Sequence, residues 1–216
     1  MKYDLVIFDL DGTLLNTVED LRAALNYGLE RAGFPPKTMD EMRKIIGGGV
    51  YHHVVNALPE GTDKAVVDAI FADFKARYNA HNNDTTLPFP GIVALLKALK
   101  GAGIRVAVNS NKLDEDSRAL IAAHFGSLVD MSFGDREGVP RKPAPDSALQ
   151  IMRALNVQPE RTLYVGDGDS DLLTAKNAGT DCAWVSWGYR KKSELGGLPI
   201  PHEFDSAEQL QAFILS

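Results

Sequence analysis

Leu5-Val6-Ile7-Phe8-Asp9-Leu10-Asp11-Gly12-Thr13-Leu14 is an apolar run that gives out in two carboxylates set two residues apart. Asp4 to Phe8 predict a short buried strand of a parallel sheet. Side chains two apart on an extended strand share a face, so Asp9 and Asp11 leave its C-terminal end together unless the backbone turns sooner. Two like charges that close are costly without a cation or a proton between them. The segment then has two readings side by side: a strand closed by an ordinary Asp-Gly turn, or a phosphoryl-transfer site. The residues at the ends of the other strands decide between them.

The 216 residues are enough to bury a full core and to hold an ordinary domain plus a smaller one. A net charge of −6 offers no basic footprint, so neither nucleic acid nor an anionic membrane is expected as partner. The single cysteine, Cys182, excludes an internal disulfide and suits a reducing compartment. With no targeting segment and no uncharged stretch of spanning length, the expected location is the cytoplasm. Asn83-Asp84-Thr85 matches a glycosylation acceptor by chance in such a setting.

Further short β-rich runs, Ile104 to Val108, Thr162 to Val165 and Asp181 to Val185, predict more strands of the same sheet. Helical patterns alternate with them over Gly91 to Lys100, Asp114 to Phe125, Pro145 to Leu155, Asp171 to Ala178 and Ser206 to Ile214. This alternation is an α/β layout. Between the first and second strands, residues 16–86 contain no strand-like run and far exceed a single crossover helix. Four helices are predicted there: Val18 to Ala32, Met39 to Ile46, Val50 to Leu58 and Lys64 to His81. The expected organisation is a core of residues 1–15 and 87–216 with an all-helical insertion of residues 16–86, hinged at Asn16 to Thr17 and at Thr85 to Pro88.

Ligands of open parallel sheets bind outside the carboxyl ends of the strands. After the second strand comes Asn109-Ser110-Asn111-Lys112, a hydroxyl on a turn, or simply a polar loop. Arg141-Lys142-Pro143 places a lysine on a stiff loop that is equally readable as a solvated basic turn. The third strand runs into Gly166-Asp167-Gly168-Asp169-Ser170-Asp171. An EF-hand is excluded, because its glycine and glutamate positions hold Leu172 and Ala178. The Walker and dinucleotide glycine patterns are absent, and one cysteine with scattered histidines does not support zinc. Asp9, Asp11 and Asp167 converging at strand ends call for a hard cation, and oxygen ligands with phosphate chemistry favour Mg²⁺.

Taken in order and spacing, Asp9-x-Asp11-Gly12-Thr13, Ser110-Asn111, Lys142 and Gly166-Asp167-x-x-x-Asp171 resemble the four motifs of the haloacid dehalogenase superfamily. The insertion, with Val165-Gly166-Asp167 and Lys176-Asn177-Ala178-Gly179, resembles its phosphoglycolate phosphatase-like branch. The resemblance implies a Rossmann-like parallel sheet core with an inserted helical cap domain, and an Mg²⁺-dependent phosphomonoester hydrolase of small phosphorylated metabolites, phosphoglycolate leading. It implies Asp9 as nucleophile through an aspartyl-phosphate and Asp11 as acid and base. Ser110, Asn111 and Lys142 would bind the phosphoryl group; Asp9, the Asp11 carbonyl and Asp167 would hold the metal, with Asp171 orienting a metal-bound water or Lys142. The protein is expected as monomer or homodimer.

Gly168 stands where many relatives carry a serine, and Asn16 where an aspartate is frequent. Asp11 argues against dehalogenation, which has no oxygen leaving group to protonate. A sugar-phosphate phosphomutase is the nearer rival, but relatives of that kind place a cap histidine where this chain has Leu21. A phosphometabolite-binding regulator without turnover and a phosphoacceptor receiver module are the alternatives from other classes, and the receiver has no use for the insertion. Gly47-Gly48-Gly49 reads either as amides for a substrate anion or as a link between helices. Arg43 and Lys44 meet a second anionic group or solvent; Asp169 is an outer acid or a helix-start carboxylate. One of His52 and His53 is expected to face solvent, neither with a catalytic role, and Phe71, Phe74 and Tyr78 are expected in the insertion's core.

Overall fold

Every residue of β1 (Leu5–Phe8) is buried, and the strand's two-residue period divides it between two cores. Val6 and Phe8 join one apolar cluster, Leu5 and Ile7 the other. A strand buried on both faces needs a layer on each side, and that is the architecture of the computed structural model, which describes residues 2–216.

A two-residue strand β2 (Leu15–Asn16) leads into α1 (Val18–Arg31), α2 (Met39–Ile45), α3 (Val50–Ala57) and α4 (Lys64–His81). The chain returns through β3 (Leu87–Pro88), which pairs antiparallel with β2. Then follow α5 (Ile92–Gly101), β4 (Arg105–Leu113), α6 (Asp114–His124), β5 (Met131–Asp135), α7 (Asp146–Leu155), β6 (Thr162–Gly166), α8 (Asp169–Ala178), β7 (Asp181–Val185), β8 (His202–Phe204) and α9 (Ala207–Leu215). Among the described residues the main sheet has six strands in the order β5-β4-β1-β6-β7-β8, all parallel. The fold is α/β, as expected. Leucines and isoleucines of α5, α6 and α9 fill one face of the sheet, while α7 and α8 cover the other.

The four expected strands are present; the two-residue β2 and β3 at the hinges were not expected, nor were β5 and β8. The latter two lie at the sheet's edges and are at most partly apolar, Met-Ser-Phe-Gly-Asp and His-Glu-Phe, so they lack the buried-strand pattern. β4 runs five residues past its expected end, with an irregular register against β5 between Asn109 and Leu113.

Helices α1 to α4 share their own apolar cluster, in which Leu25, Leu29, Ile70, Phe74 and Tyr78 are fully buried. Gly28 allows α1 and α4 to touch: a Cβ there would lie 2.9 Å from the Ile70 carbonyl oxygen. Asp20, buried on α1, accepts the N–H and O–H of both Thr85 and Thr86 at 2.6–3.0 Å by its nearer oxygens, tying the return segment to the first helix. Thr38 and Glu41 close a capping box at the start of α2. Among the described residues no helix is long and apolar enough to cross a membrane.

Candidate active site

β4, β1 and β6 lie side by side, and their carboxyl ends deliver Ser110, Asp9 and Asp167 to one edge of the sheet. The Lys142 ammonium sits among them, its side chain 3% exposed, 2.8 Å from Asp9 Oδ1 and 2.7 Å from Asp171 Oδ1. Leu10 N–H also donates to Asp9 Oδ1, at 2.7 Å, which leaves Oδ2 as the oxygen of Asp9 turned to other work. Asp171 Oδ2 accepts the N–H of Gly168 at 3.0 Å, so α8 is capped by the same carboxylate that holds the lysine.

Asp167 is seated by one backbone and two side-chain donors. Its Oδ2 accepts Tyr189 N–H at 2.7 Å, its Oδ1 the Thr13 hydroxyl at 3.3 Å, and its carbonyl the Trp184 indole N–H at 2.8 Å. Gly12, at φ +91°, passes so close that a Cβ would stand 2.5 Å from Asp167 Oδ2, so the glycine of the Asp-Gly turn is required for both its conformation and its proximity. The Asp-Gly turn expected from the sequence is therefore also what brings β1's end against Asp167.

Asp9, Asp167 and Asp171 offer carboxylate oxygens that all lie within 4.8 Å of one another. Burial pushes Asp9 well above the ordinary carboxylate range, with Lys142 opposing and Asp171 and Asp167 adding to the rise. Burial likewise raises Asp167, to about 7, with Asp171 adding. Burial would lower Lys142, yet Asp171 and Asp9 outweigh it and hold the ammonium well above its usual range. A buried, oxygen-only set of carboxylates at this spacing fits a hard divalent cation.

Asp11 lies apart from this trio. Its carboxylate is held by Lys112, whose Nζ is 3.0 Å from Oδ1 and 3.1 Å from Oδ2, and by the Thr17 hydroxyl at 2.6 Å. Two donor groups, the Lys112 ammonium and the Thr17 hydroxyl, thus fix the orientation of the Asp11 carboxyl. The Lys112 side chain is 1% exposed and its Nζ stands 4.8 Å from the centre of the Tyr78 ring on α4. Burial opposes the charge on Lys112, but Asp11 and Tyr78 prevail and its proton is held beyond the normal lysine range.

The structure thus brings Asp9, Asp11, Ser110, Lys142, Asp167 and Asp171 to one edge. Ser110 is buried and accepts Lys112 N–H at 3.1 Å, which leaves its hydroxyl proton to donate. Asn111 lines a cavity with Asp9, Asp11, Ser110 and Lys142, but its side chain grips the Lys142 backbone, accepting its N–H at 2.9 Å and donating to its carbonyl at 3.2 Å. It positions the lysine loop. Asp169 is exposed at the start of α8, and Arg43 is exposed beside Asp40. His52 faces solvent and His53 is buried. Sequence reasoning missed Lys112, Thr17 and Tyr189; the only signal was a lysine two residues beyond Ser110, on the irregular end of β4.

Residues 6–185 match the model of the haloacid dehalogenase-like hydrolase family, and the chain belongs to that family. Within it, the chain is a phosphoglycolate phosphatase-like phosphatase. The phosphoglycolate phosphatase of Aquifex aeolicus is 34% identical over 187 residues, 86% of this chain and 86% of that one. A protein from Lactobacillus delbrueckii subsp. bulgaricus, proposed to be a phosphoglycolate phosphatase, superposes with a TM-score of 0.94 at 33% identity, covering 99% of both chains. CbbY of Rhodobacter sphaeroides, solved in complex with phosphate, superposes with a TM-score of 0.77 at 27% identity, covering 96% of both.

Proposed function

We propose that the chain hydrolyses small phosphomonoesters in an Mg²⁺-dependent reaction through an aspartyl-phosphate on Asp9, with phosphoglycolate as lead substrate and residues 16–86 serving as a cap over the sheet's edge. The observation that carries this reading is the Lys142 ammonium between Asp9 and Asp171, with the Asp9, Asp167 and Asp171 oxygens gathered within 4.8 Å.

Asp9 Oδ2 attacks phosphorus in line: the new P–O bond forms to Asp9 as the P–O bond to the leaving oxygen breaks. Lys142 and the Ser110 hydroxyl hold phosphoryl oxygens, whose charge must be met throughout. Asp11 gives its proton to the leaving oxygen. Water then attacks the acyl phosphate and Asp11 takes its proton back, releasing inorganic phosphate. Lys112 and Thr17, bonded to the Asp11 carboxyl, hold it in one orientation for both proton transfers. Asp9, the Asp11 carbonyl and Asp167 would hold Mg²⁺, which when bound neutralises charge on the phosphoryl group and on the crowded carboxylates. Asp171 keeps Lys142 in place.

Leu21 supports hydrolysis over phosphoryl shuttling within a sugar. It lines the cavity beside Asp9 and Asp11, and its apolar side chain carries no proton between substrate hydroxyls. The substrate proposal rests on the relatives that carry the name phosphoglycolate phosphatase. Cytoplasmic residence accords with the lone, buried, unpaired Cys182. A panel of phosphorylated metabolites assayed for phosphate release with Mg²⁺ tests the reading. The expected result is the highest kcat/KM on phosphoglycolate; flat low values would remove that substrate, and no release from any ester would remove hydrolysis.

A further inference from the structure

His53 on α3 is a buried group that the phosphoryl chemistry does not use. It lines the same cavity as Asp9 and Ser110, on the wall made by the helical segment, next to Gly47, Gly48 and Gly49. Its Nε2 accepts the N–H of Gly47 at 3.2 Å. Its Nδ1 is buried and, among the described residues, has no hydrogen-bond partner.

These two facts fix the tautomer. A ring nitrogen that accepts carries no proton, so the proton of the neutral imidazole is on Nδ1. The ring is neutral at pH 7, because burial, with Lys112 adding, holds its pKa down to about 4. Nδ1–H is therefore a buried donor facing no acceptor of this chain, a costly arrangement unless something else supplies one.

The surroundings narrow what that is. The three glycines between α2 and α3 have φ values of +129°, +70° and +95°, and the loop is pressed against the core: a Cβ at Gly49 would come 3.0 Å from the Arg141 guanidinium, one at Gly47 3.2 Å from Arg190. The three glycines line the cavity there beside Ile46 and Val50 and add no side chains of their own. The positive end of the α3 dipole opens on the same loop, since the helix begins at Val50. Lys112 lies close enough to disfavour a charge on His53, outweighing its ion-pair partner Asp11, and Arg190 acts in the same sense, so the local balance is positive. The arrangement favours an anionic acceptor over a neutral one.

We propose that His53 is a specificity-determining residue: its Nδ1–H binds a carboxylate at the non-phosphoryl end of the substrate, which makes the preferred substrate class short phosphorylated carboxylic acids. Recognition is then divided, the sheet's edge reading the phosphoryl group and the helical segment reading the acid. A site built to donate to a substrate oxygen discriminates strongly against an analogue lacking it, because the buried donor is left unpaired. The inference rests on the phosphomonoesterase reading, and its test separates the two.

The test is calorimetric binding to the Asp9→Asn protein, chosen because it is expected not to turn over, in Mg²⁺, with 2-phosphoglycolate and with ethyl phosphate, where a methyl replaces the carboxylate. Before substitution at His53, phosphoglycolate is expected to bind at least tenfold tighter than ethyl phosphate. Adding His53→Leu should weaken phosphoglycolate by tenfold or more while ethyl phosphate changes by less than about twofold, and His53→Gln, which keeps a neutral donor, should recover part of the loss. Equal loss for both ligands shows a structural role, and no loss for either, or no initial preference, shows no contact; each overturns the proposal. If phosphate release from every ester failed in the parent protein while this binding pattern held, the hydrolase reading would fall and the carboxylate subsite would stand.

Discussion

Replacing Lys112 by methionine removes the ammonium that holds Asp11 while keeping an apolar stem against Tyr78. At about 3 Å and an effective dielectric of about 20, the pair's attraction is roughly 5 kcal/mol, most of it offset by the cost of taking both charges out of water. Once the lysine is gone, that cost stays with Asp11. Breaking a buried pair from one side typically costs about 3–5 kcal/mol. Asp11 keeps the Thr17 hydroxyl at 2.6 Å and a side-chain exposure of 15%, which places the loss at the lower end. The expected effect is about 3 kcal/mol, or a Tm lower by roughly 6–12 °C for a chain of this size. Urea unfolding followed by circular dichroism in metal-free buffer measures it. Asp11→Asn in the same background removes the stranded charge, so the double variant should be about 1–2 kcal/mol more stable than additive losses predict. A Lys112→Met protein within about 0.5 kcal/mol of the parent, or strict additivity in the double variant, would show that the pair is not a buried coupled unit.

Three further outcomes rest on the same geometry. Asp167, raised to about 7, must lose its proton to bind a cation, so Mg²⁺ affinity by calorimetry should fall about fivefold from pH 7 to pH 6 with proton release on binding; equal affinities would mean the carboxyl is already ionised. His53, held down to about 4 in the folded chain against an unfolded value of 6.5, leaves the unfolded state binding the extra proton between those values, so its contribution lowers stability as pH falls from 6.5 to 4. Comparison with His53→Leu should show the parent losing up to about 3 kcal/mol more over that window in urea titrations, and parallel pH profiles would refute the buried neutral ring. Gly28→Ala pushes a methyl to 2.9 Å from the Ile70 carbonyl oxygen and should cost about 1–3 kcal/mol in urea unfolding, whereas an unchanged midpoint would mean that α1 and α4 separate freely.

Much of this molecule was legible because its chemistry is written next to its strongest strands. β1, β6 and β7 are runs of buried apolar residues, and two of them end in the site's carboxylates, so the same pattern that predicts the sheet locates Asp9 and Asp167. The four helices of the insertion were readable to within a residue or two from apolar spacing and from glycine and proline at their ends. What escaped depended on partners distant in the chain. Lys112 and Asp11 are 101 residues apart, and on the sequence Lys112 is one more polar residue in a loop. Asn111 looked like a phosphate ligand because it sits beside Ser110, and only the bonds to the Lys142 backbone show it holding a loop. β8 is three residues long and takes its strand form from pairing with β7.

The central claim is that Asp9 carries the phosphoryl group. Acid-quench experiments with phosphorus-labelled substrate and Mg²⁺, followed by peptide mapping, measure this directly. The predicted result is an acid-stable, hydroxylamine-labile label on the peptide holding Asp9, absent from Asp9→Asn, which also shows no turnover. Turnover without a labelled protein, or an Asp9→Asn protein that retains the parent's kcat, would contradict it.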